Sequence, residues 1–234
     1  MDRNFYLMLA GVIGVLVIIF IAAGGKQSNL NNVFEGDPLV VQADDHTDGE
    51  GTTGVILIEY ADFECPGCGL LFPSIEQLKA EYGDQITFVF RHFPLERLHP
   101  NALAAHRAAV AAGNQDMFWE MHDLLYLRQN EWAAQSSGAD ITRANALFET
   151  YAGELQLDID QYKADIAAEA TFNRISTQID SGNKLGVNAT PTLYLNGEQL
   201  ETPGSYQELK DLVDAAINEA AGSSAEQPAA APAG

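Results

Sequence analysis

Cysteine is nearly absent from this sequence. The 234 residues contain two, Cys65 and Cys68, separated by Pro66 and Gly67. Such a pair is a weak structural cross-link, because a ring of four residues restrains the unfolded chain by only about 2 kcal/mol, against about 3 kcal/mol for a 15-residue loop. The scarcity excludes a disulfide-stapled scaffold, so the pair has to be explained by its chemistry.

The same scarcity argues against a zinc site. A structural zinc ion needs four ligands, and a catalytic one needs three and a water. A Cys-x-x-Cys pair supplies two, and the sequence holds no further cysteine. The histidines near it in the sequence are spread over a predicted strand end and predicted helices: His92, His99, His106 and His122. We therefore expect no metal.

Basic residues are also few, with 12 Lys and Arg against 33 Asp and Glu and a net charge of -21. A field of that sign repels phosphate backbones, which excludes nucleic acid as a partner. We interpret the acidic excess as a solvated exterior.

One long apolar run stands apart from the rest of the chain. Residues 5–23 contain only apolar residues and glycine, and 19 residues of helix reach about 28 Å, close to the thickness of a bilayer core. This length favours an uncleaved N-terminal transmembrane helix, with a cleavable signal peptide as the alternative. Both place the folded domain on the extracytoplasmic side of the cell membrane.

Two further apolar runs, at residues 55–60 and 86–90, predict strands that are buried on both faces. Between them, apolar residues recur at spacings of three and four and predict a helix that Gly83 ends: Leu71, Phe72, Ile75, Leu78 and Tyr82. A strand, a helix and a strand in this order predict parallel pairing and an α/β fold.

The following 90 residues carry no strand signal. Their apolar spacing predicts four helices, at about residues 101–112, 116–129, 142–151 and 159–183. Strand signal returns at residues 191–195 and, beyond the turn Asn196-Gly197, at residues 198–200. A last helix is predicted at about residues 206–220.

These patterns divide the chain into six segments. They are a membrane anchor or signal segment (1–25), a linker that ends in an edge strand at residues 39–41 (26–53), the first part of the α/β domain (54–94), an all-helical insertion (95–184), the second part of the α/β domain (185–220) and a disordered tail (221–234).

The cysteine pair lies where the first strand meets the predicted helix. Unpaired amides and the positive end of the helix dipole favour the thiolate of the first cysteine, so Cys65 is the expected nucleophile. Cys68, one turn further along, is expected to be more buried and to act as the resolving thiol in thiol–disulfide exchange.

Four motifs in the same order resemble the DsbA-like thiol:disulfide oxidoreductases of the thioredoxin superfamily. They are EYADFECPGC at residues 59–68, RHFPL at 91–95, HPNA at 99–102 and GVNATPT at 186–192. The resemblance covers roughly residues 39–220 and implies a thioredoxin fold, with a central mixed sheet flanked by helices. It also implies an enzyme whose redox group is its own Cys65–Cys68 disulfide, without another cofactor.

From this resemblance, Pro191 is expected to be cis and to face the cysteines, with Thr190 offering backbone groups to an extended client peptide. The expected client-binding residues are Thr190, Pro191, Pro66 and Gly67. Glu59 matches the family's buried acid and is expected to exchange a proton with Cys68. The alternative for Glu59 is a solvated side chain at the sheet edge.

Gly67 departs from the strongly oxidising relatives, which carry histidine there. Its absence predicts a less acidic Cys65 and a less oxidising disulfide than in those relatives. The expected function is to introduce disulfides into reduced exported client proteins, with reoxidation by a membrane oxidase of the DsbB or vitamin-K-epoxide-reductase type. A reductase or isomerase kept reduced by a membrane donor, and a noncatalytic peptide-binding chaperone, are the alternatives.

Overall fold

The computed structural model describes residues 36–134 and 140–225. Five strands form one sheet: β1 (His46–Asp48), β2 (Val55–Ala61), β3 (Ile86–His92), β4 (Thr192–Leu195) and β5 (Glu198–Gln199). Within the described residues, eight helices accompany the sheet: α1 (Pro66–Tyr82), α2 (Ala102–Gly113), α3 (Phe118–Leu127), α4 (Gln129–Trp132), α5 (Ile141–Glu154), α6 (Ile159–Ala167), α7 (Glu169–Lys184) and α8 (Tyr206–Ala225).

The strand order in the sheet is β1-β3-β2-β4-β5. The strands β2 and β3 run parallel, as the βαβ pattern predicts, and all the other pairs are antiparallel. The sheet is therefore mixed, and β2, which leads into the cysteines, lies at its centre. A central strand is covered on both faces, which explains why residues 55–60 read as a continuous apolar run.

Each face of the sheet has its own core. The larger core packs β2 and β3 against α1, α8 and the insertion, with Leu57, Phe88 and Leu209 among its buried residues. The smaller core lies on the opposite face around Tyr60 and Tyr194. Successive side chains of a strand point to opposite faces, so Glu59 shares the larger-core face with Leu57.

The edge strand predicted at residues 39–41 is wrong, because the strand in this segment is β1, at His46–Asp48. Leu39 and Val41 instead pack against the smaller core. The buried guanidinium of Arg91 binds the carbonyl oxygens of Pro38 and Val40 and pairs with Asp45 at 2.7 Å. Polar contacts from a buried arginine thus replace strand pairing in this segment.

Two helix boundaries also differ from the prediction. The helix predicted at residues 159–183 is two helices, since Ala168 takes an extended backbone conformation between α6 and α7. The helix α8 continues to Ala225, past the predicted start of the tail at residue 221. An alanine-rich end can extend a helix that packing has already nucleated.

The predicted anchor at residues 5–23 lies outside the described residues. Among the residues that are described, no helix is both long and apolar enough to cross a bilayer.

Candidate active site

The cysteine pair opens α1. Cys65 caps the helix, and Pro66 occupies its first turn, where a missing amide proton costs nothing. Both cysteines are free thiols, so the structure describes the reduced pair. The first cysteine is 8 % exposed and the second 1 %, which leaves Cys65 as the sulfur closer to solvent.

The two thiols have opposite acidities. The pKa of Cys65 is lowered to about 5, first by a hydrogen bond with Cys68 and further by the backbone amides of Gly67 and Cys68, against the effect of burial. Burial is the main cause that raises the pKa of Cys68 well above its ordinary value, followed by its hydrogen bond with Cys65. At neutral pH the reduced pair therefore holds one thiolate and one thiol.

The loop before β4 closes over this pair. The peptide bond between Thr190 and Pro191 is cis, as the resemblance implied. The Sγ atom of Cys65 lies 3.2 Å from the carbonyl oxygen of Thr190, across 125 positions of the chain, and donates a hydrogen bond to it when the thiol is protonated. Gly67 lies under the same loop, since a Cβ built on it would stand 3.3 Å from Cδ of Pro191 and 3.6 Å from Sγ of Cys65. The fold thus brings together the sulfur and the residues predicted to bind clients.

Glu59 is buried in the central strand, at 3 % exposure, rather than solvated at an edge. Burial raises its pKa to about 8, while the charge of Lys79 opposes this rise. When Glu59 is ionised, its negative charge contributes to the raised pKa of Cys68. A carboxyl group in this state is protonated at neutral pH and can release a proton near pH 8.

Asp62 lies inside the EYADFECPGC motif, but the sequence alone predicts no role for it. Its buried carboxylate accepts hydrogen bonds from the backbone amides of Glu64 at 2.8 Å and Leu95 at 2.7 Å, and from Nδ1 of His99 at 2.7 Å. Its carbonyl oxygen accepts the backbone amide of Cys65 at 3.0 Å. The side chain and backbone of Asp62 therefore shape the segment that carries the cysteines, residues 62–68, which we call the cysteine turn.

A family model described as thioredoxin matches residues 42–215, which is most of the chain. The chain belongs to the thioredoxin family. The curated Na(+)/H(+) antiporter NhaA 3 of Salinispora tropica is 37% identical over 173 residues, which are 74% of this chain and 25% of that protein. This thioredoxin-family chain thus spans about a quarter of the length of the curated relatives it matches, and their name describes those whole proteins.

Solved structures place the thioredoxin-family domain among DsbA-like folds. Wolbachia pipientis alpha-DsbA1 is similar with a TM-score of 0.69 and 19% identity, over 80% of this chain and 99% of that chain. A thioredoxin-like oxidoreductase from Silicibacter pomeroyi DSS-3 gives a TM-score of 0.63 and 25% identity, over 78% of this chain and 97% of that chain. This DsbA-like thioredoxin fold supports thiol–disulfide exchange as the chemistry of the chain.

Two polar side chains fix the cysteine turn to the helical insertion of this thioredoxin-family protein. The carboxylate of Glu64 accepts the backbone amides of Asn101 at 2.6 Å and Ala134 at 2.7 Å. The Nε2 atom of Gln129 donates to the carbonyl oxygens of Phe63 at 2.7 Å and Cys65 at 3.0 Å. The side chain of Glu64, the residue before Cys65, is therefore directed towards the insertion and held there.

His92, one of the histidines considered for a zinc site, is fully buried and contacts His106 through their Nδ1 atoms at 2.6 Å. In the described parts of this thioredoxin-family chain, one group could hold a metal ion, with ligand atoms of Glu76, His122 and Asp123 within 4.8 Å of one another. Lys79 already pairs with Glu76 at 2.9 Å there. None of these metal-ligand candidates belongs to the cysteine turn.

Proposed function

We propose that this protein is an exported thiol:disulfide oxidoreductase that introduces disulfides into client proteins through its Cys65–Cys68 pair. The single observation that carries the proposal is the placement of Cys65 at the N-terminus of α1, with its sulfur 3.2 Å from the carbonyl oxygen that precedes the cis Pro191 and with the more buried Cys68 one turn further along. One sulfur is poised to leave as a thiolate, and its neighbour is poised to keep a proton. This division of labour is what exchange through a mixed disulfide requires.

The reaction begins with the oxidised pair. A client thiolate attacks Sγ of Cys65, the bond between Cys65 and Cys68 breaks, and Cys68 leaves. Because the Cys68 thiolate is strongly disfavoured in its buried position, it takes up a proton as it forms. The neighbouring carboxyl group of Glu59, with a pKa of about 8, is the proposed donor of that proton.

The second step resolves the mixed disulfide. The second thiolate of the client attacks the client sulfur that is bound to Cys65, and Cys65 leaves as a thiolate. A low leaving-group pKa speeds this step. Clients are proposed to bind in extended form along Thr190 and Pro191, with Pro66 and Gly67 at the opposite side of the sulfur. The Thr190 carbonyl already accepts a hydrogen bond at this position.

The acidity of Cys65 supports oxidation rather than reduction of clients. Stabilising the thiolate stabilises the reduced enzyme, which makes its disulfide a stronger oxidant. A pKa of about 5 lies between those of thioredoxin, about 7, and DsbA, about 3.5. We therefore propose an oxidant weaker than the relatives that carry histidine in place of Gly67.

The cellular setting is part of the proposal. The apolar run at residues 5–23 would tether the protein to the cell membrane, with the catalytic domain on the extracytoplasmic side. Reduced exported proteins would be the clients, and a quinone-linked membrane oxidase of the DsbB or vitamin-K-epoxide-reductase type would reoxidise the pair. No cofactor beyond the disulfide is required.

The test is to trap the redox state of the full chain in cells with a thiol-reactive mass tag. An oxidase is expected to be mostly oxidised at steady state, and a mostly reduced pair would instead support the reductase or isomerase. Cys68→Ser and Cys65→Ser form a matched pair of variants. The first is expected to accumulate mixed disulfides with clients and the second is not, whereas a noncatalytic chaperone would keep its function in both.

A further inference from the structure

With His46, His99 is one of the two histidines in the described residues that are not fully buried. It lies between β3 and α2, and its side chain is 16% exposed, whereas those of His92, His106 and His122 are at most 1 % exposed. Its backbone amide donates to the carbonyl oxygen of Leu95 at 2.9 Å. His99 is therefore a fixed side chain that still reaches solvent and can exchange protons with it.

The partner of His99 is the buried side chain of Asp62. The Oδ2 atom of Asp62 accepts hydrogen bonds from both Nδ1 of His99 and the backbone amide of Leu95, each at 2.7 Å. With the amide of Glu64 on Oδ1, the side chain of Asp62 accepts three hydrogen bonds. A buried carboxylate is stable when a cation pairs with it, and the imidazolium of His99 supplies that cation.

The pair of Asp62 and His99 is joined directly to the cysteines. The carbonyl oxygen of Asp62 accepts the backbone amide of Cys65, the first of the two cysteines, at 3.0 Å. The pKa of His99 is raised chiefly by its hydrogen bond to Asp62, and the negative charge of Cys65 adds to the rise. Coupling between two sites is reciprocal, so the imidazolium must favour the Cys65 thiolate to the same extent.

We propose that His99 is a positioning residue of the exchange site: held by Asp62, its imidazolium stabilises the thiolate that Cys65 becomes when the disulfide is reduced. This inference rests on the proposed function in taking Cys65 as the sulfur that clients attack. The positive charge near Cys65 then comes from the loop before α2, because Gly67 in the cysteine turn has no side chain to carry one.

The proton balance of the reaction follows from this assignment. A client dithiol and the Cys65–Cys68 disulfide yield a client disulfide, the Cys65 thiolate, the Cys68 thiol and one proton. The client loses two electrons and the cysteine pair gains them. The released proton passes to solvent, or to His99 when its imidazole is neutral, so reduction increases the protonation of His99.

The charged and titratable groups around the imidazole of His99 are few. Asp62 and Cys65 face it from the cysteine turn, and so does Glu64, whose charge also raises the pKa of His99. From α2, Nε2 of His106 lies 4.0 Å from Oδ1 of Asp62, but burial lowers the pKa of His106 to about 4. Burial raises the pKa of Glu64, so the pH response of this cluster is expected to come from His99, Cys65 and Glu64 together, and the contribution of His99 is the part that His99→Gln removes.

The first experiment needs no variant. The pKa of His99 is measured by NMR in the oxidised and the reduced protein. The expected result is a higher pKa in the reduced protein, because the Cys65 thiolate is then present. Equal values in the two redox states would overturn the proposal, since the two groups would then not be coupled.

The second experiment measures the pKa of Cys65 from thiolate absorbance in His99→Gln and in the control Arg97→Gln, which removes a charge from the same loop two residues away. We expect the acid dissociation constant of Cys65 to fall about three- to tenfold in H99Q and to stay unchanged in R97Q. Equal constants in the two variants would refute the role of His99.

The reduction potential distinguishes this inference from the proposed function. H99Q is expected to be a weaker oxidant than the wild type, with the difference disappearing above the pKa of His99. A wild-type protein that fails to oxidise a reduced client would overturn the oxidase function and leave this coupling intact. A structural role for His99 would change stability but would not produce a pH-dependent difference in potential.

Discussion

Gly67→His is the substitution that probes the direction of the reaction most directly. A Cβ at position 67 would stand 3.6 Å from the Cys65 sulfur, so an imidazolium attached to it would lie about 5 Å away. At an effective dielectric constant of about 20, two opposite charges at that distance attract by about 3 kcal/mol. The position is half-exposed, and solvent screening reduces this to about 1.5 kcal/mol at the lower end.

This attraction applies to the reduced enzyme alone, because the disulfide carries no charge. For a two-electron couple, about 1.4 kcal/mol corresponds to 30 mV, so G67H is expected to be more oxidising by about 30 to 60 mV. The pKa of Cys65 is expected to fall by about one to two from its value of about 5. The assay is equilibration with glutathione redox buffers at pH 7, read out by mass tagging.

Gly67→Gln is the matched control, because it adds a neutral side chain of similar size. Both substitutions place a Cβ 3.3 Å from Cδ of Pro191 and share any steric cost of that contact. The difference between the two variants is expected to vanish as the pH rises through the pKa of the new imidazole. Equal reduction potentials for G67H and G67Q at pH 7 would refute the electrostatic account of this site.

Three further predictions concern stability, each measured by denaturant unfolding. The folded pKa of Glu59 is raised to about 8, so its protonated form stabilises the fold at low pH. The free energy of unfolding of the wild type relative to Glu59→Gln should fall by about 3 kcal/mol between pH 5 and pH 8. A difference between the two proteins that does not change with pH would contradict the raised pKa. The folded pKa of Cys65 is lowered to about 5, so the reduced wild type should gain stability over Cys65→Ser as the pH rises from 5 to 9, by about 2 to 3 kcal/mol at pH 7. A Cβ on Gly69 would meet Oε1 of Gln129 at 2.8 Å and would shift the Gln129 amide from its hydrogen bonds to Phe63 and Cys65. Gly69→Ala should therefore be less stabilising in the wild type than in a Gln129→Ala background, where helix propensity acts alone, by about 1 kcal/mol; equal effects in both backgrounds would exclude the contact.

The parts of the fold that could be predicted from the sequence are those that local pattern specifies. The strands β2 and β3 are central and buried on both faces, so their apolar runs are continuous and easy to recognise. The edge strand β1 pairs on one side only and has three residues, His46–Asp48, with little apolar content. The nearby segment at residues 39–41 is more apolar, so the sequence pattern predicts the edge strand there instead of at β1.

The candidate site likewise has residues that the sequence predicts and contacts that it does not predict. Motif order identified Cys65, Glu59 and Pro191, because each stands at a fixed place relative to a strand or a helix. The contacts of Asp62 with His99 and of Phe63 with Gln129 join residues 37 and 66 positions apart. The geometry of these contacts depends on how the insertion packs against the cysteine turn. The spacing of residues within either segment does not predict that packing.

The three polar connections between the cysteine turn and the insertion have a consequence for protein engineering and for descent. The side chains of Asp62, Glu64 and Gln129 form hydrogen bonds across the junction between the cysteine turn and the insertion. An insertion transplanted from a relative would leave buried carboxylates without donors unless it carried matching groups at the corresponding places. The helical insertion and the cysteine turn therefore behave as one unit of inheritance, and a chimera between family members should be joined outside both.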